Sequence, residues 1–273
     1  MTRFNFMTRE ELRKLNSATQ YPSIKTYHAI GEKGRLLELA NVDFDGDLLE
    51  VTEKIDGVNA RIIISPLGEE IIVGSRTELL HYVGDVIYNS AEGIVETLFP
   101  HGKEAGHSIP CSTSNIMVVY GEVYGGAVST AGRKQYTSRG ETGFRVFDIA
   151  QIPPTILDLP IEQIAAWRDN GGQGFEDSLK LKQLVAMGTG WQLVPSLTPW
   201  SWLPMSVEST FNWLKYTISA SQVRLDLDAP GEPEGVIVRT RDRSRIAKLR
   251  FEDYERTLGL GRFAKGTMKN RQG

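Results

Sequence analysis

A lysine at the end of a β-prone run, followed at once by a glycine turn, is the chain's first candidate for chemistry: Glu53-Lys54-Ile55-Asp56-Gly57-Val58-Asn59. Held inward at such a junction, a lysine loses hydration. Desolvation and neighbouring cations then favour the neutral amine that can attack phosphorus. Glu53 and Asp56 on either side could orient that amine or bind a metal afterwards. An exposed lysine beside a turn fits the same letters, so the other segments decide.

Gly74-Ser75-Arg76 ends a second β-prone run with an arginine suited to a phosphate or a ribose. Tyr120-Gly121-Glu122-Val123-Tyr124-Gly125-Gly126 sets one carboxylate among glycines, where a ligand can approach the backbone and ribose hydroxyls can donate to Glu122. In Phe144-Arg145-Val146-Phe147-Asp148-Ile149, strict alternation puts Arg145 and Phe147 on one face and Asp148 on the other. Phe147 could stack on a purine. Glu234-Gly235-Val236-Ile237 combines a carboxylate able to bind Mg²⁺ with an aliphatic cover for an adenine face. Lys248 and Arg250, two residues apart, share one face of a strand and could neutralise a phosphate in the transition state. Each segment alone is also ordinary strand chemistry.

The elements that must position these residues are legible in outline. Thr8-Arg9-Glu10-Glu11 has capping-box spacing ahead of a short helix carrying Leu12 and Leu15. Strands are expected over 48–55, 60–65 and 70–75, the last two joined by the turn Pro66-Leu67-Gly68. A helix is expected over 83–98, closed by Pro100, and strands over 116–123 and 144–149. The middle reads as helices over 161–168, 175–187 and 207–219. Strands return over 235–240 and 245–250. Mixed elements without regular βαβ alternation indicate an α+β fold of antiparallel sheets flanked by helices.

Composition excludes several classes. At 273 residues, with 40% hydrophobic and 24% charged residues, the chain is an ordinary globular protein. No apolar run is long enough for a membrane span, and the N-terminus lacks a secretory signal. The one cysteine, Cys111, excludes an internal disulfide framework and suits a reducing compartment, hence a cytoplasmic location. The four histidines, His28, His81, His101 and His107, show no metal-ligand spacing. The net charge of −3 hides an asymmetry: residues 239–273 carry 11 Lys/Arg against 4 Asp/Glu. That stretch is either a solvated basic tail or a face for a polyanion.

Taken in order, the segments from Tyr21 to Arg250 resemble the motifs of the covalent nucleotidyltransferase superfamily: DNA ligases, RNA ligases and mRNA capping enzymes. The likeness is greatest to RNA ligases of the RNA ligase 2 type, through Asn59 at the end of the lysine motif, Gly74-Ser75-Arg76, and the lead-in Tyr21-Pro22-Ser23-Ile24. The resemblance implies a nucleotidyltransferase (ATP-grasp-like) fold with a nucleotide pocket between its sheets. It implies that Lys54 takes AMP from ATP with Mg²⁺ or Mn²⁺ present, and that Glu122 binds the ribose. Arg76 would lie near ribose and phosphate, and Asn59 near AMP and the reactive end. Phe147 and Ile237 would enclose the adenine, and the backbone at Glu53 would read its amine. Glu234 would bind metal, Asp148 would be a second metal position, and Lys248 and Arg250 would grip the AMP phosphate.

One departure is Lys248-Leu249-Arg250, where RNA ligases often have two lysines. Another is that 23 residues follow Arg250, so one nucleotidyltransferase domain over residues 1–273 is expected, without an appended OB-fold or large C-terminal domain. The function implied is ATP-dependent sealing of RNA 5′-phosphate and 3′-hydroxyl ends, with a nicked duplex and an RNA/DNA hybrid among the open substrates. A minimal DNA ligase and a nucleotide-binding module without ligation activity are the alternatives. Asn59 and the missing OB-fold make a capping enzyme the least suited.

Overall fold

The computed structural model describes residues 7–82, 85–86, 93–109, 114–126, 128, 133–187 and 190–260. In chain order the first elements are α1 (Arg9–Thr19), β1 (His28–Ile30), β2 (Leu36–Ala40), β3 (Leu49–Lys54), β4 (Val58–Ile64), β5 (Ile71–Ser75), β6 (Leu79–Tyr82) and β7 (Asp85–Val86). Next come α2 (Ile94–Ser108), β8 (Ile116–Gly125), α3 (Arg133–Tyr136), β9 (Thr142–Ile152), α4 (Ile161–Asp169), β10 (Gly174–Phe175) and α5 (Ser178–Val185). The last are α6 (Val207–Thr217), β11 (Gly235–Thr240), β12 (Ile246–Arg250) and α7 (Phe251–Leu258).

These elements form two compact units. The larger contains Met1–Pro22, Asp56–Leu193 and Arg224–Pro230, and the smaller contains Ser23–Ile55, Val194–Val223 and Gly231–Gly273.

The larger unit is built on a seven-stranded antiparallel sheet, β10-β9-β8-β4-β5-β6-β7. Its central strands are apolar at nearly every position, because both faces are covered. Ile62, Ile64, Val73, Val119 and Val123 pack with Leu98 and Ala105 of α2 and Leu181 and Leu184 of α5. Alternate residues Ile63, Ile72, Val118 and Tyr120 pack with Leu15 and Ala18 of α1 and Ile164 of α4. The expected capping box is present: Thr8 Oγ accepts from Glu11 N–H and the Glu11 carboxylate accepts from Thr8 N–H.

Two helices differ from expectation. Pro100 lies inside α2, which runs on to Ser108. Gly102 and Ala105 beyond it are buried, with Gly102 against Ile62 and Ile71, and that packing outweighs the amide a proline lacks. In the earlier part of the expected helix, residues 85–86 instead form strand β7 against β6, and residues 83–84 and 87–92 lie outside the described residues. The helix expected from Phe175 begins at Ser178, where the Asp177 carboxylate caps Lys180 N–H; Phe175 itself pairs with Ala150 in the sheet.

The smaller unit contains the three-stranded antiparallel sheet β12-β11-β3 and the hairpin β1-β2. One face of the three-stranded sheet, with Leu49, Val51, Val236, Val238, Ala247 and Leu249, is buried against Phe211 and Leu214 of α6 and Tyr254 of α7. No helix among the described residues is long and apolar enough to cross a membrane.

Candidate functional site

Lys54 is the last residue of β3 and pairs with Gly235, which pairs in turn with Arg250. Two residues along, Thr52, Ile237 and Lys248 form the next row. Period-2 geometry puts Lys54, Ile237, Lys248 and Arg250 on one face, opposite the apolar face that builds the core. Gly235 is required by close packing, since a Cβ there would fall 2.0 Å from the Leu249 carbonyl oxygen.

The Lys54 ammonium donates to Glu234 Oε2 at 2.5 Å, with the two side chains only 24% and 18% exposed. Nζ is thus held by an anion, where desolvation and cations were expected. The Glu234 backbone carbonyl also accepts from Phe251 N–H, the first amide of α7. Glu53 points elsewhere. Its buried carboxylate accepts from the Ser221 hydroxyl at 2.5 Å and from Gln222 N–H at 2.8 Å. The expectation that this carboxylate orients the amine is therefore corrected: alternation sends it to the opposite side of β3.

Arg250 also departs from expectation. Its Nε and one terminal nitrogen donate to the two oxygens of buried Asp253 at 2.8 and 3.0 Å, and the other terminal nitrogen pairs with Glu252 at 2.8 Å. Burial pushes the Arg250 guanidinium down, but these carboxylates outweigh it and raise it above its ordinary value. A guanidinium so engaged has little left for a phosphate. The expected electropositive stretch is reduced similarly, because Arg239 pairs with Glu50, Arg245 with Asp47 and Arg256 with Asp253. Residues 261–273, the rest of that stretch, lie outside the described residues, as does Cys111.

The larger unit holds the other five candidates. Asn59 of β4 stands directly opposite Glu122 of β8, and Glu122 opposite Arg145 of β9, giving a polar row across three strands. Asn59 Oδ1 is buried with no hydrogen-bond donor among the described residues. A buried carbonyl oxygen left in that state costs free energy unless a ligand donates to it. Gly57 lets the chain pass close to β8, since a Cβ there would meet the Val123 carbonyl oxygen at 2.3 Å and Glu122 Cγ at 2.9 Å. Arg76 is exposed just beyond β5.

Phe147 sits at a bulge. Tyr120 faces Asp148 while Gly121 faces Val146, so Phe147 is the extra residue. The strict alternation expected over 144–149 therefore fails, and Asp148 shares the face of Arg145. Buried Asp148 accepts from the Tyr21 hydroxyl at 2.5 Å, and the Tyr21 ring lies edge-on to Phe147 with centroids 5.0 Å apart. Asp148 thus has a phenol partner where a metal was expected.

Sequence reasoning missed the residues that hold these candidates: Ser221 and Gln222 for Glu53, Asp253 for Arg250, and Tyr136, whose hydroxyl accepts from Asp56 N–H at 2.7 Å. Only Asp253 left a signal, three residues after Arg250 where a strand gives way to a helix.

The RNA ligase family profile matches residues 47–250. No curated protein matches the chain. Among solved structures, a Naegleria gruberi RNA ligase mutant with ATP and Mn aligns at TM-score 0.53 and 15% identity, covering 87% of this chain and 62% of that one. A second mutant of that ligase, with AMP and Mn, aligns at 0.53 and 15%, covering 85% and 62%. The same ligase with pyrophosphate aligns at 0.51 and 14%, covering 86% and 63%. At such identities the likeness establishes the fold, and this chain spans less than two thirds of those proteins' length. The match over residues 47–250 includes every motif from Glu53 to Arg250, and the chain belongs to the RNA ligase family.

Proposed function

We propose that this chain is an ATP-dependent RNA ligase working through a lysyl-AMP intermediate. The observation that carries the proposal is Lys54 Nζ, fixed by Glu234 on the sheet face that also bears Ile237 and Lys248. The amine, having shed a proton, forms a bond to the α-phosphorus of ATP while the bond to the pyrophosphate oxygen breaks. AMP then passes to a 5′-phosphate end, and attack by a 3′-hydroxyl seals the strand and expels AMP. Lys248 offers positive charge to the phosphate, and Ile237 an apolar cover for adenine.

For the larger unit we propose Glu122 as the ribose acceptor, Arg76 as a ribose or phosphate contact, and Phe147 as a base-stacking ring. The orphaned Oδ1 of Asn59 supports its role as a ligand contact. A backbone contact from Glu53 to adenine is part of the same proposal. Among the described residues no group of three or more Asp, Glu, His or Cys side chains could hold a metal. Mg²⁺ or Mn²⁺ would accordingly be held mostly by phosphate oxygens and water, with Glu234 as the protein carboxylate, and would neutralise phosphate charge when bound. The substrate is proposed to be RNA, in a nicked duplex or RNA/DNA hybrid, and the location cytoplasmic, in keeping with the single cysteine. The family match favours this over the minimal DNA ligase.

The test is incubation with Mg²⁺ and α-labelled ATP. Label should appear on the wild-type protein, be released by acid as expected of a phosphoramidate, and be absent from Lys54→Ala. Equal labelling of Lys54→Ala would sink the proposal.

A further inference from the structure

Arg61 is fully buried, and the partners the structure gives it are neutral. A charge in that position needs hydrogen bonds in place of a counter-ion. They come from the turn after β5 and from α1. One terminal nitrogen donates to the carbonyls of Ser75 and Arg76 at 2.9 and 3.0 Å, and the other to Asn16 Oδ1. Burial pushes the guanidinium down to about 10, still charged at neutral pH.

The next carbonyl, that of Thr77, accepts from the Asn16 side-chain amide at 2.8 Å and the Gln20 amide at 3.0 Å. Three consecutive carbonyls are thereby tied to Arg61 of β4 and to the C-terminal end of α1. The turn is also closed on itself: Ser75 N–H donates to Glu78 O, while Ser75 Oγ accepts from Thr77 N–H and Glu78 N–H. Gly74, directly opposite Arg61 in the sheet, lets the turn close, since a Cβ there would lie 2.9 Å from the Glu78 carbonyl oxygen and 3.1 Å from Arg61 Nε. A surface turn bearing a solvent-exposed arginine needs none of this to be stable. So dense a restraint fixes the origin and direction of one side chain, that of Arg76.

We propose that Arg61, Asn16 and Gln20 are positioning residues that hold Arg76 for its contact with the nucleotide. This rests on Arg76 touching the nucleotide in the proposed lysyl-AMP reaction.

The test measures single-turnover lysyl-AMP formation against ATP concentration for wild type, N16A/Q20A, Arg76→Ala and the combination. Arg61→Lys serves as the buried counterpart. N16A/Q20A alters only partly buried positions and leaves Arg61 in place, so the fold should survive. Its half-saturating ATP concentration should rise roughly 3–10-fold with the reactive fraction unchanged, and the effect should vanish in the Arg76→Ala background. A merely structural role would lower the melting temperature and the reactive fraction without moving half-saturation. Wild-type kinetics in N16A/Q20A, or effects that add to those of Arg76→Ala, would overturn the inference alone. Arg76→Ala behaving as wild type would overturn the nucleotide contact itself, and the inference with it.

Discussion

Glu53 and Lys54 are consecutive residues whose side chains leave β3 on opposite faces, Glu53 to Ser221 and Gln222 and Lys54 to Glu234. One strand thus separates an anchoring carboxylate from the amine proposed to react. Glu53→Ala should strand a buried hydroxyl and a partly buried amide, lowering stability by about 2 kcal/mol. Glu53→Gln keeps an acceptor and should cost about half as much. Urea unfolding of the two variants checks the order; equal stability of Glu53→Ala and wild type would contradict it.

Glu234 should matter to the chemistry more than to the fold. Glu234→Ala removes the partner of Nζ and should slow lysyl-AMP formation by about 100-fold, while its backbone bond to Phe251 persists. Glu234→Gln, which keeps a hydrogen-bond acceptor, should fall between the two. Rapid-quench labelling resolves the rates, and wild-type speed in Glu234→Ala would refute the role.

Arg250 and Asp253 should behave in the reverse way. Removing Asp253 leaves Arg250 and Arg256 without their shared buried carboxylate, at about 2–3 kcal/mol. Arg250→Lys keeps the charge but loses the bidentate fork, at about 1 kcal/mol. Lys248→Ala should depress adenylylation more than Arg250→Lys does. A larger rate loss in Arg250→Lys would show that Arg250 leaves its carboxylates to grip phosphate.

Asp226 gives the larger unit an acid limit. Desolvation pushes its carboxyl up, but donors from Ser138 N–H and O–H, Thr137 O–H and Asp228 N–H outweigh it and hold it at about 2, against an ordinary 3.8. Because the folded value lies below the unfolded one, the stabilisation is complete above about pH 4 and is lost as pH falls toward 2. In Asp226→Asn that part of the acid dependence should flatten, as followed by thermal melts between pH 2 and 5. An unchanged slope would mean that the contact is absent in solution.

Much of this was legible in the residues themselves. Period-2 patterning gave β11 at its observed bounds and β3 to within a residue at each end, and Thr8 and Glu11 announced α1. The shared face of Lys54 and Lys248 needed more, because it depends on which strands pair, and β3 and β11 are about 180 residues apart in the chain. The bulge at Phe147 was invisible, since an extra residue changes facing without changing composition. The partners of Glu53 and Arg61 were hidden for another reason: a serine and two carbonyls carry no mark of the charge they will hold until folding brings them together, whereas Asp253 at least stands three residues from Arg250.

One helix amide has a practical meaning for anyone trimming this chain. The family match ends at Arg250, yet Phe251 N–H holds the Glu234 carbonyl and Asp253 holds the Arg250 guanidinium. A chain cut at the motif's edge would keep every residue named for chemistry and lose the fastenings of two of them. A piece that keeps both fastenings therefore ends beyond α7, where Gly259 turns the backbone left-handed and closes the helix.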